Sequence, residues 1–365
     1  MMLSRQRNWS AEAVQPERRD SARDSGLPEG KITTVEMHTG GEPVRIVTGG
    51  YPPVLGDTIL DKRRYARERL DHLRKMLIFE PRGHHDMYGV IPVEPDHPDA
   101  DLAVLFMHNE GYSTMCGHAV IALGRYAVDT GIVAPTVPLT AVDIQCPCGL
   151  VRAMVEVART PAGFRSGSVT FESVPSFAFA LDAETQVPGI GNVRFDIGYG
   201  GAFYAILPAG SVGLDLSSSP LRDIVEISDR IAKAVQAAID LDHPDDPDLA
   251  FLYGTILTDG GTGKDAPSTN VCVFAEREVD RSPTGSGVSA RMATQRARGE
   301  VAIEEQCLFR SMTGSVFRAR VLRPEKAGRF DAARIEVAGR AFYSGTSTFT
   351  IEENDEIGRG FVLRP

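Results

Sequence analysis

Along most of this chain apolar residues alternate with polar ones or come in short β-branched runs, and only a few stretches carry the three-to-four-residue spacing of a helix. Residues 31–38 read as a strand by alternation and β-branched content, closed by the turn Thr39-Gly40-Gly41-Glu42-Pro43, with a second strand over residues 44–47. Between residues 57 and 74, Ile59, Leu60, Tyr65, Leu70 and Leu73 recur at roughly helical spacing among charges, which predicts one amphipathic helix. Residues 76–79 then read as a strand that runs into a loop dense in ionisable groups, Arg82, His84, His85 and Asp86 among them. Such a loop suits solvent and the wall of a site equally well. After a strand at 103–108, residues 119–128 are apolar nearly all round and stop at Asp129-Thr130-Gly131, the pattern of a buried helix with a glycine stop. Strands dominate 137–157 and 169–206. A helix over 227–240 carries Ile231, Val235 and Ala238 on one side and ends at Asp242-His243-Pro244. Strands at 252–257 and 270–275 precede a helix that starts at Thr284 or Gly285 and is stopped by Gly299. Strands at 308–312, 316–322, 334–337 and 341–351 finish the chain.

Two short stretches repeat within this pattern. Residues 112–122, which contain Met115-Cys116-Gly117-His118, align with residues 280–290, which contain Ser282-Pro283-Thr284-Gly285-Ser286-Gly287. The alignment pairs Gly117 with Gly285, Val120 with Val288 and Ala122 with Ala290, and sets Cys116 opposite Thr284. Each half thus repeats strands, a signature, a helix and more strands, which hints at duplication. The expected fold is α+β with mixed sheets and one central helix in each of two pseudo-symmetric domains, and the two helix starts are expected to face one another across a substrate. The first domain is read as residues 31–163 plus 350–365 and the second as 164–349, with the site in the cleft between them. Residues 1–30 are polar, mix Arg with Glu12, Glu17, Asp20 and Asp24, and read as a disordered tail without a signal segment.

Composition narrows the function classes. With 365 residues, 42% hydrophobic and 24% charged, the chain has ample material for two globular domains. A net charge of −10 argues against a nucleic-acid partner, and no apolar run approaches the length needed to span a membrane. The five cysteines, an odd number, form no disulfide framework and no zinc-ligand spacing, which fits a reducing, cytoplasmic compartment.

The chemistry sits in the two signatures. Cys116 falls just before or within the first turn of a buried helix, where free N–H groups and the helix dipole favour an anion. That placement is expected to lower the thiol pKa and make a thiolate available, while the same N–H groups, approached closely at Gly117, can cradle a substrate carboxylate. A buried structural cysteine is the competing reading. In the second signature Ser282 and Thr284 suit a helix cap, Gly285-Ser286-Gly287 offers N–H groups, and Asp280 is a carboxylate able to hold a substrate ammonium.

These residues resemble the proline racemase family, which includes 4-hydroxyproline epimerases and trans-3-hydroxy-L-proline dehydratases. The matching pieces are His38-Thr39-Gly40-Gly41-Glu42-Pro43, Glu80-Pro81-Arg82-Gly83-His84, Met115-Cys116-Gly117-His118, the stretch from Asp280 to Gly287 and the closing region 345–361. The resemblance implies, for each half, a mixed or antiparallel sheet or open barrel around a central helix, as in diaminopimelate epimerase. Racemases and epimerases of the family carry a second cysteine where this chain has Thr284, and members with threonine there resemble the dehydratases. Racemisation needs a competent acid–base on each face of Cα, and a threonine hydroxyl is too weak for that role.

The resemblance therefore implies that Cys116 removes the C2 proton of trans-3-hydroxy-L-proline and that the C3 hydroxyl leaves as water, giving Δ1-pyrroline-2-carboxylate. Gly117, His118, Gly285 and Ser286 would hold the carboxylate and Asp280 the ring ammonium. Thr284 would face the leaving hydroxyl, with His85 and Asp86 as candidates to protonate it. No metal or organic cofactor is implied, the partner is a small imino acid, and a homodimer is allowed. Three alternatives stay open. Retained epimerase or racemase activity is one, and a non-catalytic imino-acid binding module is another. A nicotinamide enzyme rests only on Gly285-Ser286-Gly287-Val288-Ser289-Ala290, whose glycines stand too far from their strand.

Overall fold

The computed structural model describes residues 31–350, 352 and 354–363, so the tail expected at residues 1–30 lies outside the described residues. The first run of elements is β1 (Ile32–Thr39), β2 (Glu42–Gly49), α1 (Ile59–Arg69), α2 (Asp71–Ile78), β3 (Gly89–Val93), β4 (Leu102–Met107), β5 (Tyr112–Ser113), α3 (Gly117–Asp129), β6 (Leu139–Cys146), β7 (Gly149–Thr160) and β8 (Gly163–Glu172). The second is β9 (Ser176–Val187), β10 (Gly191–Tyr199), β11 (Phe203–Pro208), α4 (Leu221–Ala238), β12 (Leu252–Thr258), β13 (Ser268–Phe274), β14 (Glu278–Val279), α5 (Gly285–Ala297), β15 (Gln306–Arg310), β16 (Val316–Ala327), β17 (Phe330–Gly339) and β18 (Ala341–Phe349).

Alternation decides which strand face turns inward. In β7, Val151, Ala153, Val155 and Val157 are buried while Arg152, Glu156 and Ala158 are exposed. The β1–β2 hairpin closes through Gly40 and Gly41, whose φ angles of 64° and 94° suit the left-handed two-residue turn that matches strand twist.

Hydrogen bonding closes one ring of eight strands, running β17, β16, β15, β13, β12, β11, β10, β9 and back to β17. The ring wraps α5, which packs on β9, β10, β11, β16 and β17. A second layer of eight runs β18, β1, β2, β3, β4, β6, β7, β8 around α3 and joins the ring through β8 and β17. Parallel and antiparallel pairs mix in both halves, as at β2–β3 and β11–β12 against their antiparallel neighbours. The result is the α+β, pseudo-symmetric arrangement expected from the repeated plan, with one central helix per half. Ten of the thirteen residues of α3 are buried, which explains why it lacks a polar face; in α5 every residue from Gly285 to Gln295 is buried, with polar ones such as Arg291 and Thr294 hydrogen-bonded inside.

Local readings differ at two places. The helix expected over 57–74 is two, α1 and α2, broken at Leu70, whose backbone (φ −120°, ψ 8°) leaves the helical region. The strand expected at 76–79 is the last turn of α2 instead, because Met76, Leu77 and Ile78 bury into a smaller core against Ile91, Leu105 and Met107. A short apolar run does not by itself separate strand from buried helix. No helix among the described residues is long and apolar enough to cross a membrane.

Candidate active site

β5 leads directly into Cys116, which caps α3 from an extended backbone (φ −146°, ψ 105°) and accepts the Ala119 N–H on Sγ at 3.3 Å. The same sulfur lies 3.1 Å from Nδ1 of His118. The His118 ring is buried edge-on against Tyr88, at a centroid distance of 4.8 Å. Burial pulls its pKa down to about 3 against the opposing pull of a hydrogen bond to the Pro43 carbonyl, so the ring is neutral. A neutral imidazole that donates from one nitrogen keeps the other as an acceptor. The expectation of a lowered thiol pKa is not met. Burial pushes the Cys116 thiol well up, the Ala119 N–H opposes this, and the nearby Asp280 carboxylate adds to the rise. Desolvation outweighs the helix terminus here because the sulfur is shut away from water.

The second helix start meets the first. A Cβ on Gly117 would lie 2.5 Å from the Gly285 Cα, and one on Gly285 would lie 2.7 Å from the Gly117 Cα, so the two backbones touch where the sequence repeat aligns them. The first N–H groups of both helices, on Gly117 and His118 and on Gly285 and Ser286, have no carbonyl of their own helix behind them. All four residues border one cavity.

Thr284 does not cap α5 through its side chain. It sits in the left-handed region (φ 65°, ψ 88°), a strained conformation for a β-branched residue, and its buried hydroxyl has no hydrogen-bond partner among the described residues. Its N–H donates to the Ser282 hydroxyl at 3.1 Å, and Asn270 holds the Pro283 carbonyl at 2.8 Å. Asp280, buried, accepts the Ser282 N–H at 2.7 Å, and burial lifts its pKa to about 6 against that bond. Behind it Glu42, fully buried, accepts the Arg281 N–H at 2.6 Å.

These groups line a narrow cavity. Cys116, Gly117, His118, Asp280, Thr284, Gly285 and Ser286 all border it. His85 and Asp86 do not: Asp86 is bonded by His85, pairs with Arg281 at 2.8 Å and accepts the Val279 N–H, which together hold its carboxyl far below the usual range despite burial. Five further lining residues, Tyr88, Met115, Tyr204, Tyr253 and Phe274, escape sequence reasoning. Tyr88 bonds the Ser113 hydroxyl at 2.6 Å and Tyr204 that of Ser286 at 2.7 Å, while Tyr253 stacks on Phe274 at 5.1 Å. All but Met115 lie in or beside strands from distant parts of the chain, and nothing local separates them from core aromatics.

Comparison with known proteins follows the same geometry. Residues 34–362 match the family described as proline racemase. A Saccoglossus kowalevskii protein named trans-L-3-hydroxyproline dehydratase is 55% identical over 330 residues, 90% of this chain and 100% of its own length. The human trans-3-hydroxy-L-proline dehydratase is 52% identical over 350 residues, 93% of this chain and 96% of its own. Among solved structures, a hydroxyproline epimerase from Agrobacterium vitis with bound trans-4-hydroxy-L-proline superposes with a TM-score of 0.85 at 28% identity, covering 92% of this chain and 97% of that one. Abutting helix starts, a capped cysteine and a match over nearly all the described residues lead to one conclusion: the chain belongs to the proline racemase family.

Proposed function

We propose that this chain is a trans-3-hydroxy-L-proline dehydratase, a hydro-lyase that needs no second acid–base across its cavity. The carrying observation is the broken symmetry of the site: two helix starts touch at Gly117 and Gly285, yet one presents a thiol and the other the unpartnered hydroxyl of Thr284. A group that removes the C2 proton has no counterpart able to return one on the other face, so the carbanion-like intermediate leaves by expelling the C3 hydroxyl. The names of the relatives above support the same substrate.

In this reading the substrate carboxylate docks on the N–H groups of Gly117, His118, Gly285 and Ser286, where charge that builds on deprotonation is also held. The ring ammonium pairs with Asp280. Because burial favours the thiol form, Cys116 must lose its proton before it acts, and the Ala119 N–H at 3.3 Å then holds the thiolate. Thiolate attack on the C2 hydrogen and loss of water give an enamine that tautomerises to Δ1-pyrroline-2-carboxylate. The likeness to the epimerase structure favours epimerisation as the second reading, and Thr284 weighs against it.

Three finer readings accompany this one. A substrate cleft between two units is supported by the separate wrapping of α3 and α5, with β8 and β18 belonging by their pairing to the α3 unit. A cytoplasmic location is supported by five unpaired cysteines. A homodimer is supported by β18, whose Phe342 and Tyr343 are about 40% exposed. The test is incubation with trans-3-hydroxy-L-proline, trans-4-hydroxy-L-proline and L-proline in separate reactions, scoring cyclic imine. The 3-hydroxy compound alone yields imine, and an absence of imine from it sinks the proposal.

A further inference from the structure

The stereochemistry of the substrate decides which wall of the cavity handles the leaving group; this step rests on the dehydratase reading. In trans-3-hydroxy-L-proline the carboxylate at C2 and the hydroxyl at C3 project from opposite faces of the ring. The C2 hydrogen, opposite the carboxylate, therefore shares a face with the hydroxyl. Whatever group takes that hydrogen approaches the face from which oxygen departs. With Cys116 as the base, the leaving oxygen stands against the Cys116 wall, and the Thr284 wall meets the C3 hydrogen instead. The expectation that Thr284 faces the leaving hydroxyl is thereby reversed.

We propose that the elimination is same-face and that one atom, Sγ of Cys116, serves both halves of it, taking the proton from C2 and giving that proton to the C3 oxygen. The C2–H bond breaks and S–H forms. The electron pair left on C2 becomes the C2–C3 π bond, the C3–O bond breaks with its pair on oxygen, and the S–H proton passes to that oxygen. Water, enamine and the original thiolate result, so the cycle consumes no solvent proton and needs no other reactant.

The two walls differ in the way this requires. On the Cys116 wall both protonation states of the sulfur have a partner: the Ala119 N–H at 3.3 Å suits the thiolate, and the His118 ring nitrogen at 3.1 Å suits the thiol. On the Thr284 wall no group matches the thiol as a proton donor to the leaving oxygen: a hydroxyl is a far weaker acid, and the nearby Asp280 acts as a carboxylate. The Thr284 hydroxyl has no hydrogen-bond partner among the described residues, the Ser286 hydroxyl is taken by Tyr204, and Asp280 accepts the Ser282 N–H and faces the ammonium in this reading. Thr284 is then an inert wall that returns no proton to C2 and so keeps the intermediate from epimerising.

The test compares trans-3-hydroxy-L-proline with cis-3-hydroxy-L-proline, whose hydroxyl lies on the face opposite the C2 hydrogen. Both are incubated in heavy water, with imine and C2 deuterium followed by NMR. The cis compound is expected to give imine at least ~100-fold more slowly than the trans compound, the low end of what a positioned acid contributes, whether or not its C2 hydrogen exchanges. In a Thr284→Val variant the ratio of imine formed to C2 deuterium exchanged, read on the trans compound, stays that of the wild type. Comparable dehydration of the cis compound overturns the proposal. So does a Thr284→Val enzyme that exchanges C2 but no longer expels the hydroxyl. No imine from the trans compound with the wild type refutes the dehydratase reading itself.

Discussion

At the scale of single residues, the site works by burying ionisable groups and then compensating them only in part with hydrogen bonds. Asp280 is the clearest instance. Burial raises its pKa to about 6, so in the free enzyme it is ionised at neutral pH and becomes protonated as the pH falls through that value. A neutral Asp280 cannot hold a substrate ammonium, and kcat/KM is therefore expected to fall below pH 6, by roughly tenfold at pH 5. Asp280→Asn removes the charge and with it this acid limb, and lowers kcat/KM by ~100-fold or more at pH 7.5, as expected when a buried ion pair loses one partner. A variant that keeps both the limb and the activity shows that Asp280 is not the ammonium site. Cys116, Thr284 and Asp280 are legible as chemistry in the sequence because their residue types and spacing to a glycine-led helix carry the meaning. The protonation state of Cys116 is not, since it depends on a cavity sealed by Tyr88, Tyr204, Tyr253 and Phe274, which come from other strands.

At the scale of elements, α3 and α5 are brought together by the absence of side chains. Each helix begins with a glycine, and each glycine is the other's nearest obstacle. Gly285→Ala would set a Cβ 2.7 Å from the Gly117 Cα and 3.2 Å from the Phe171 ring. Backbone cannot give way as a flexible side chain does, so the helix starts must separate. The expected cost is about 1–3 kcal/mol of stability, read from urea denaturation. A shift near 1 Å in the carboxylate cradle is expected to lower kcat/KM by ~100-fold as well. Wild-type activity in both Gly117→Ala and Gly285→Ala would show that this contact does not set the cradle. α3 is readable from apolar content and a glycine stop, because a helix buried on all sides announces itself locally, whereas α5, with Arg291, Thr294 and Gln295 inside it, is readable only from its glycine-led start and the stop at Gly299. The split at Leu70 and the helical ending at Ile78 were not, since only the smaller core under β3 and β4 selects helix over strand for Met76 to Ile78.

At the scale of the whole molecule, the duplicated plan is visible in the sequence, whereas the closure of one ring and not the other depends on the pairing of β9 with β17, which no local pattern records. The two units must also hold register at the rim beside Asp280, and polar ties between them gather there. Asn109, which follows β4 in the α3 unit, reaches the turn between β13 and β14 in the other unit. Its side chain donates to the Glu276 carbonyl at 3.2 Å and accepts the Glu276 N–H at 3.1 Å, while also donating to the His85 carbonyl at 3.1 Å. Its own N–H bonds the buried Glu278 carboxylate at 2.6 Å. Asn109→Ala keeps the last bond and deletes the first three, at an expected cost of ~1–3 kcal/mol, because these bonds are part-buried and water replaces them only in part. The turn it anchors leads through β14 to Asp280, so the same change is expected to raise KM more than it lowers kcat. Thr160→Ala, which deletes a hydrogen bond to Gly163 at an exposed turn, is the matched control and should leave midpoint and KM near wild type. If Asn109→Ala loses stability but binds substrate normally, the rim ties hold the units together without positioning the site, and Asp280 owes its place to Glu42 and the Ser282 loop instead.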